Sequence, residues 1–165
     1  MPILEAEMKY TIKKCGDLAK VRSIHKMAFA EDSWPGDDHE FWVAYDEHGG
    51  VAGFASAVLM TTQVAFFSRC AITLKHRGFE LHRQLITTRL KWAKAEGAVI
   101  VITYVTKFSY ASMVNLLRAE FRFASRSLVP CGNDEWHVML KILRESAGML
   151  KGHITQHINA MMEAP

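Results

Sequence analysis

Hydrophobic and polar residues along the chain fall into short alternating stretches and a few stripes at helical spacing. Alternation predicts half-buried strands, and apolar residues three and four apart predict amphipathic helices. The sequence DEHGG at 46–50 predicts a hairpin turn between two of the strands. The predicted strands are 10–14, 41–45, 51–60, 63–73, 98–105, 121–129 and 135–142, and the predicted helices are 18–30, a helix with its apolar face from Leu81 to Ala93, and 110–119.

The stretch 98–105, AVIVITYV, differs from the other strands because it is continuously apolar. Such a stretch predicts a strand buried on both faces at the centre of a sheet. Strands alternating with helices predict one α/β domain over residues 1–142. An amphipathic stretch at 144–162 predicts a helical tail, and we assign 143–165 to it as a separate segment. Its apolar stripe predicts packing on the domain itself, on a second copy or on a protein partner.

Composition sets limits on the class of protein. A chain of 165 residues that is half hydrophobic fits one domain with a sizeable core. Its three cysteines (Cys15, Cys70 and Cys131) are too few and too scattered for a disulfide framework, which predicts buried thiols in a reducing, cytoplasmic compartment. No apolar run approaches the roughly eighteen residues of a membrane helix, and the first ten residues lack the pattern of a signal peptide.

Charge is distributed unevenly along the chain. The net charge of +3 separates into −4 over residues 1–66 and +7 over residues 67–165. The basic part would suit a ligand that carries phosphate groups. Nucleic acid is a weaker interpretation, and chance unevenness of the surface is the simple alternative.

The segment from Cys70 to Phe123 carries a specific order of motifs. A strand (RCAIT) leads into a basic turn (LKHRGFELHR) and a helix, and then a buried strand (VIVITYV), a helix and FRF follow. This order resembles the GNAT (Gcn5-related N-acetyltransferase) family over about residues 10–142. The resemblance implies an α/β fold with a mixed, mostly antiparallel sheet flanked by helices. It also implies acetyl-CoA as cosubstrate and a primary amine, of a small molecule or a protein, as acceptor.

In the family, the basic turn binds the pyrophosphate through backbone N–H groups at a helix N-terminus. The family pattern is Arg/Gln-x-x-Gly-x-Gly/Ala; Arg77 and Gly78 fit it, while Glu80 and His82 replace the two small residues. Glu80 costs electrostatic attraction, and His82 either crowds the phosphate or donates to it. The resemblance implies an oxyanion-binding N–H near Ile72. The cofactor-binding residues that it implies are Cys70, Ile72, Thr73, Leu74, Arg77, Gly78, Phe79, Glu80, Leu81, His82, Arg83, Ser109 and Ser112.

The resemblance leaves the general acid and base unassigned. The Tyr that usually acts as general acid in the family is replaced here by Leu at the corresponding pair Leu116-Leu117. Glu120-Phe121 replaces the family's Gly-Phe. The weak candidates are Glu40, Tyr104 and Tyr110. One interpretation is an N-acetyltransferase in which the amine attacks directly, with the acidic stretch 31–40 favouring a cationic amine. The other is a non-catalytic protein that docks through its tail, as in the virion-associated GNAT-like proteins of podophages that the sequence also resembles.

Three further patterns have simpler explanations. His153 and His157 lie four apart on one helical face but lack a third ligand, so we predict surface histidines and no metal site. His76 and His82 are interpreted as surface histidines in the same way. Cys70 lacks a histidine partner for nucleophilic catalysis, which favours a core cysteine. Aromatic residues in the basic half could stack on bases, but core packing explains most of them.

Overall fold

The computed structural model describes residues 7–124 and 136–144. Its order of elements is the one that the sequence predicts, with most boundaries within two residues. The strands are β1 Thr11–Lys14, β2 Glu40–Tyr45, β3 Val51–Leu59, β4 Val64–Ile72, β5 Ile100–Thr106, β6 Arg122–Phe123 and β7 Trp136–Ile142. The helices are α1 Leu18–Ala28, α2 Leu81–Ala95 and α3 Tyr110–Arg118, and a 3₁₀ turn spans Leu74–His76.

The strands form one mixed sheet in the order β1-β2-β3-β4-β5-β7-β6. β4 and β5 are parallel and pair from Val64 with Ile100 to Phe67 with Thr103, and the Thr103 hydroxyl donates to the Phe67 carbonyl at 2.9 Å. β7 pairs antiparallel with both β5 and β6, and β1 with β2. A parallel pair needs a crossover connection, which α2 supplies here. The mostly antiparallel α/β sheet that the sequence predicts is thereby confirmed.

The chain divides into two compact units, and the described part of the first comprises residues 7–56 and 69–85. Its core is aromatic: Phe29, Phe41 and Phe54 pack with the apolar face of α1. α1 begins after Asp17, whose side chain accepts a hydrogen bond from the Lys20 amide, as N-cap residues do. This unit contains the turn between β4 and α2.

The described part of the second unit comprises residues 57–68, 86–124 and 136–144. β5 runs through its core, and Ile100, Val101 and Ile102 are each at most 1% exposed, which confirms the predicted central strand. Gly97 follows the apolar stripe of α2 in the sequence, which predicts a glycine cap, and its φ of +87° and 3.1 Å bond to the Lys94 carbonyl agree with that.

Several side chains differ from the sequence expectations. Cys15 and Cys70 are partly exposed rather than fully buried, because both lie near the ends of their segments. A charged residue outside the apolar face of α2 is expected to be exposed, yet Arg89 is 3% exposed, and its guanidinium carbon lies 4.4 Å from the centroid of the Phe67 ring. Cys131, the 125–129 part of the predicted strand, and the tail from residue 145 with its apolar stripe and two histidines lie outside the described residues.

Candidate active site

The turn between β4 and α2 is fixed to the neighbouring strand at its first residue. Thr73 bonds to the Ala52 carbonyl through both its amide, at 3.0 Å, and its hydroxyl, at 3.2 Å. The 3₁₀ turn follows, and the Arg77 side chain folds back to donate to the Ile72 carbonyl at 3.1 Å. Two bonds therefore hold the start of the turn to β3, and one bond holds the Arg77 side chain to the end of β4.

Two left-handed residues then redirect the chain into α2. Gly78 has a φ of +87°, which glycine adopts without steric cost, and Glu80 has a φ of +62°. The Gln84 amide bonds the carbonyl of Glu80, the residue directly before α2, at 3.1 Å. In an α-helix the amides of the first turn have no acceptor within the helix and point out of its N-terminus. That end of α2 consequently carries a partial positive charge suited to an anion.

The first turn of α2 packs closely on β3. Leu81 and Leu85 are fully buried, and a Cβ added at Gly53 would lie 3.1 Å from Leu81 and 3.3 Å from Leu85. Glycine at position 53 therefore lets the start of the helix approach the strand. This packing determines where the N-terminus of α2 lies within the first unit.

Charged side chains surround the turn. Arg77 and Arg83 are exposed, and Arg83 pairs with Glu80 at 2.7 Å. Lys75 lies 3.6 Å from Asp46 of the β2–β3 turn. Leu74 and Phe79 are among the exposed large apolar residues. Of the predicted cofactor-binding residues, those from Cys70 to Arg83 thus lie on one continuous segment, from the end of β4 to the first turn of α2.

His76 contradicts the surface position expected for it. It is 3% exposed, and its Nδ1 lies 3.2 Å from the Tyr10 hydroxyl while its Nε2 lies 3.3 Å from Asp46 Oδ2. The cause is the 3₁₀ turn, which directs this side chain inward between Lys75 and Arg77, both exposed. The sequence carries no local signal for this contact, because Tyr10 and His76 are 66 positions apart.

Three carboxylates of the acidic stretch 31–40 are paired with other side chains. Arg22 donates to Asp37, whose pKa is held below its usual range by this bond and by one from the Trp34 indole. Asp38 bonds His39 at 2.9 Å, and the weak base candidate Glu40 bonds Lys14 at 2.9 Å. The structure thus places Glu40 in an ion pair at the edge of the sheet.

The remaining candidates lie in the second unit. Tyr104 on β5 packs edge-on against Phe66, and its hydroxyl is buried. Tyr110 begins α3 and is 70% exposed. Ser109 precedes it and bonds the Thr106 hydroxyl at 2.7 Å, and Ser112 is half-buried on α3.

Two classes of site find no counterpart in residues 7–124 and 136–144. No group of three or more His, Cys, Asp or Glu side chains there could hold a metal ion. No helix in those ranges is long and apolar enough to span a membrane.

Comparison with known families decides the class of protein. The acetyltransferase (GNAT) family matches residues 8–121, which include the turn and both flanking elements. The chain belongs to this family. Among curated proteins, none matches the sequence significantly. The GNAT match nevertheless covers more than half of the chain and agrees with the order of strands and helices.

Solved structures show the same GNAT fold at low sequence identity. An acetyltransferase from Bacillus cereus ATCC 14579, named for IAA, has a TM-score of 0.66 and 14% identity over 82% of this chain and all of its own. Ard1 from Thermoplasma volcanium has a TM-score of 0.63 and 17% identity over 82% of this chain and 99% of its own. The Salmonella typhimurium protein yncA, solved with its cofactor acetyl-CoA, has a TM-score of 0.63 and 17% identity over 82% and 95%.

Proposed function

We propose that this GNAT protein transfers an acetyl group from acetyl-CoA to a primary amine, which attacks the thioester directly. The observation that carries the proposal is the turn between β4 and α2. It presents the N-terminus of a helix, flanked by Arg77 and Arg83, within the segment that the GNAT family matches. The yncA structure, with its acetyl-CoA, supports the choice of cosubstrate.

The residues of the turn fit a diphosphate in charge and in backbone geometry. First-turn amides of α2 and the two arginines would hold it, since N–H groups at a helix N-terminus and guanidinium groups both bind phosphate oxygens. The pantetheine arm would lie beside residues 70–74, with an N–H near Ile72 on the carbonyl oxygen. Glu80 is the misfit, because its carboxylate lies where the phosphates would bind.

The chemistry needs positioning more than it needs an acidic side chain. Acetyl-CoA supplies an activated acyl group. The amine nitrogen forms the new C–N bond, the C–S bond breaks, and one amine proton passes through water to the thiolate. Holding the two reactants together lowers the barrier even where proton transfer is left to solvent. Tyr104, buried, and Glu40, paired with Lys14, are poorly disposed to help, whereas Tyr110 is exposed.

Calorimetric titration with acetyl-CoA and CoA tests the proposal. We expect saturable binding with a Kd of about 1–100 µM, typical of such cosubstrates. The double substitution Arg77→Ala, Arg83→Ala should weaken binding about tenfold or more. Arg118→Ala, an exposed arginine at the end of α3, is the matched control and should leave the Kd unchanged. No heat with protein at about 0.1 mM would contradict the proposal.

A second candidate function follows from Glu80. A carboxylate in the turn and the missing family Tyr are both compatible with a GNAT protein that binds a partner and has lost catalysis. A transfer assay with a panel of small primary amines and lysine peptides separates the two. Binding of acetyl-CoA with no acetylated product in any arm would favour the non-catalytic protein.

A further inference from the structure

The turn contributes His76 to a polar cluster, which we call the His76 cluster, that also contains Asp46 and the partly buried Tyr10. Tyr10 directly precedes β1, Asp46 lies in the β2–β3 turn, and His76 ends the 3₁₀ turn. The side chains of Asp46 and His76 are 8% and 3% exposed, and the Tyr10 hydroxyl lies on His76 Nδ1. Three distant segments of the first unit are therefore joined at one histidine.

Hydrogen-bonding requirements define the state of the cluster. Asp46 Oδ1 accepts from the Gly50 amide at 2.8 Å and the His48 amide at 3.0 Å, which hold the pKa of Asp46 below its usual range. The other oxygen of this carboxylate, Asp46 Oδ2, lies 3.3 Å from His76 Nε2, in a contact too poorly aligned for a hydrogen bond. This favours the proton on Nε2, so Nδ1 accepts from the Tyr10 hydroxyl.

The placement of His76 excludes direct participation in acetyl transfer. Both ring nitrogens are buried and directed at Tyr10 and Asp46, so neither can reach a substrate. His76 is, however, directly followed by Arg77, and Gly78 comes next. The contacts that hold His76 therefore also fix the backbone position at which Arg77 and the left-handed turn into α2 begin.

We propose that His76 is a positioning residue for the phosphate end of acetyl-CoA. By holding the 3₁₀ turn against Tyr10 and Asp46, it keeps Arg77 and the start of α2 in the geometry that phosphate groups need. The cluster thereby makes the enzyme specific for acyl carriers that bear phosphate over phosphate-free thioesters. This inference rests on the proposed function, because it assigns a role within the same site.

The experiment compares two acyl donors, acetyl-CoA and phosphate-free S-acetyl-pantetheine. Tyr10→Phe removes one hydroxyl and keeps the ring, and His76→Leu removes both nitrogens. We expect each to raise the KM for acetyl-CoA about tenfold with kcat within about twofold, since an unmatched buried polar group costs that much. The KM for S-acetyl-pantetheine should stay unchanged. Tyr45→Phe, on β2 in the same unit, is the matched control and should alter neither donor.

Rescue separates positioning from general stability. His76→Asn keeps an acceptor near the position of Nδ1, so its KM for acetyl-CoA should lie nearer the wild-type value than that of His76→Leu. In the double variant Tyr10→Phe, His76→Leu, the effects on KM should be less than additive, because both substitutions remove the same hydrogen bond between Tyr10 and His76. Equal changes of KM for both donors, or no change for either in folded Tyr10→Phe protein, would overturn the proposal.

Amide hydrogen exchange tests the anchor, by which we mean the holding of the 3₁₀ turn by the His76 cluster. It needs no acyl donor. Tyr10→Phe should raise exchange about tenfold at amides 76–79, and Tyr45→Phe should not. Faster exchange in a protein that fails to bind acetyl-CoA would refute the proposed function and keep the anchor. Unchanged exchange in a protein that binds acetyl-CoA would refute the anchor and keep the function.

Discussion

Glu80 and Glu120 adopt the same unusual backbone conformation in opposite surroundings. Their φ values are +62° and +67°, and no other non-glycine residue in the described ranges has a positive φ. Glu80 precedes α2 and Glu120 follows α3. A left-handed conformation costs an ordinary side chain roughly 1–2 kcal/mol, so each position favours glycine. The comparison shows what each glutamate gains in return.

Glu120 is compensated by a nearby cation and by helix geometry. The Glu120 amide bonds the Leu117 carbonyl, and the Phe121 amide bonds that of Leu116, both at 3.0 Å, which is the Schellman pattern that Gly97 forms at the end of α2. Lys141, whose side chain is 14% exposed, donates at 2.9 Å to both the Ala119 carbonyl and the Glu120 carboxylate. The carboxylate thus stabilises a lysine that also caps the helix.

Glu80 has a weaker compensation and a functional cost. Its partner Arg83 is exposed, and ion pairs between exposed side chains contribute little. The carboxylate suits the positive end of α2 when no ligand is present, but it competes there with a phosphate. The same backbone requirement is therefore structural at Glu120 and, under the proposed function, restricts the affinity for acetyl-CoA at Glu80.

The largest expected effect is that of Glu80→Gly on acetyl-CoA binding. Removing the carboxylate should tighten the Kd at least about fivefold, since a single pair of like charges about 4 Å apart in water costs about 1 kcal/mol. Glu80→Gln keeps the strain and removes only the charge. Because the backbone strain is present with and without ligand, calorimetry should give Glu80→Gln a Kd close to that of Glu80→Gly. An unchanged Kd in both variants would show that Glu80 does not restrict the affinity for acetyl-CoA.

The next effect concerns the glycine that forms the same motif as Glu120. Gly97→Ala should destabilise the fold by about 1 kcal/mol, because alanine pays the left-handed cost with no ion pair to offset it. Urea denaturation monitored by circular dichroism measures this. Ala95→Gly, two positions earlier inside α2, controls for a general sensitivity of that helix end. Loss of stability in the control alone would mean that the cap contributes nothing.

A smaller effect of the opposite sign is expected for Glu120→Gly. Relief of strain stabilises the fold, while loss of the Lys141 ion pair partly cancels the gain. The midpoint in urea should therefore rise by less than it falls in Gly97→Ala. Lys141→Met tests the cancellation, since it removes the cation and leaves the strain. Destabilisation by Glu120→Gly would show that the ion pair outweighs the backbone cost.

The smallest effect is a dependence of stability on pH. The Lys141 hydrogen bond lowers the pKa of Glu120 from its ordinary value near 4.5. A carboxyl group with a lowered pKa contributes stability above its unfolded pKa and loses it as the pH falls through the folded one. The difference in stability between wild type and Glu120→Gln should thus be present at pH 7 and shrink below about pH 4.5. A difference that stays constant down to pH 2 would contradict this.

The sequence predicts the local parts of this molecule well. The order of elements, the central β5 strand and the Gly97 cap depend on periodicity and on single residues with strong conformational preferences. The turn before α2 is also located from its own residues, including the departure at Glu80. These features can be predicted because the residues that determine each of them lie within a few positions of one another in the sequence.

Contacts between distant segments could not be predicted in this way. The burial of His76 depends on Tyr10 and Asp46, and that of Arg89 on Phe67 of another strand. The pairing of the acidic stretch depends on Lys14 and Arg22. Composition gives the number of charged residues, but the fold determines which of them form ion pairs. The sequence therefore predicts which segment forms the candidate site. It does not predict the ion pairs and hydrogen bonds around that segment.

The bond between Tyr10 and His76 has a consequence for folding kinetics. It closes a loop of 66 positions, whereas the β2–β3 hairpin closes over a short turn. Contacts between distant positions carry a larger closure entropy and tend to form after local ones. Tyr10→Phe should accordingly accelerate unfolding while leaving the refolding rate nearly unchanged. The segment that we assign to phosphate binding would then reach its final geometry only after the main barrier to folding has been crossed.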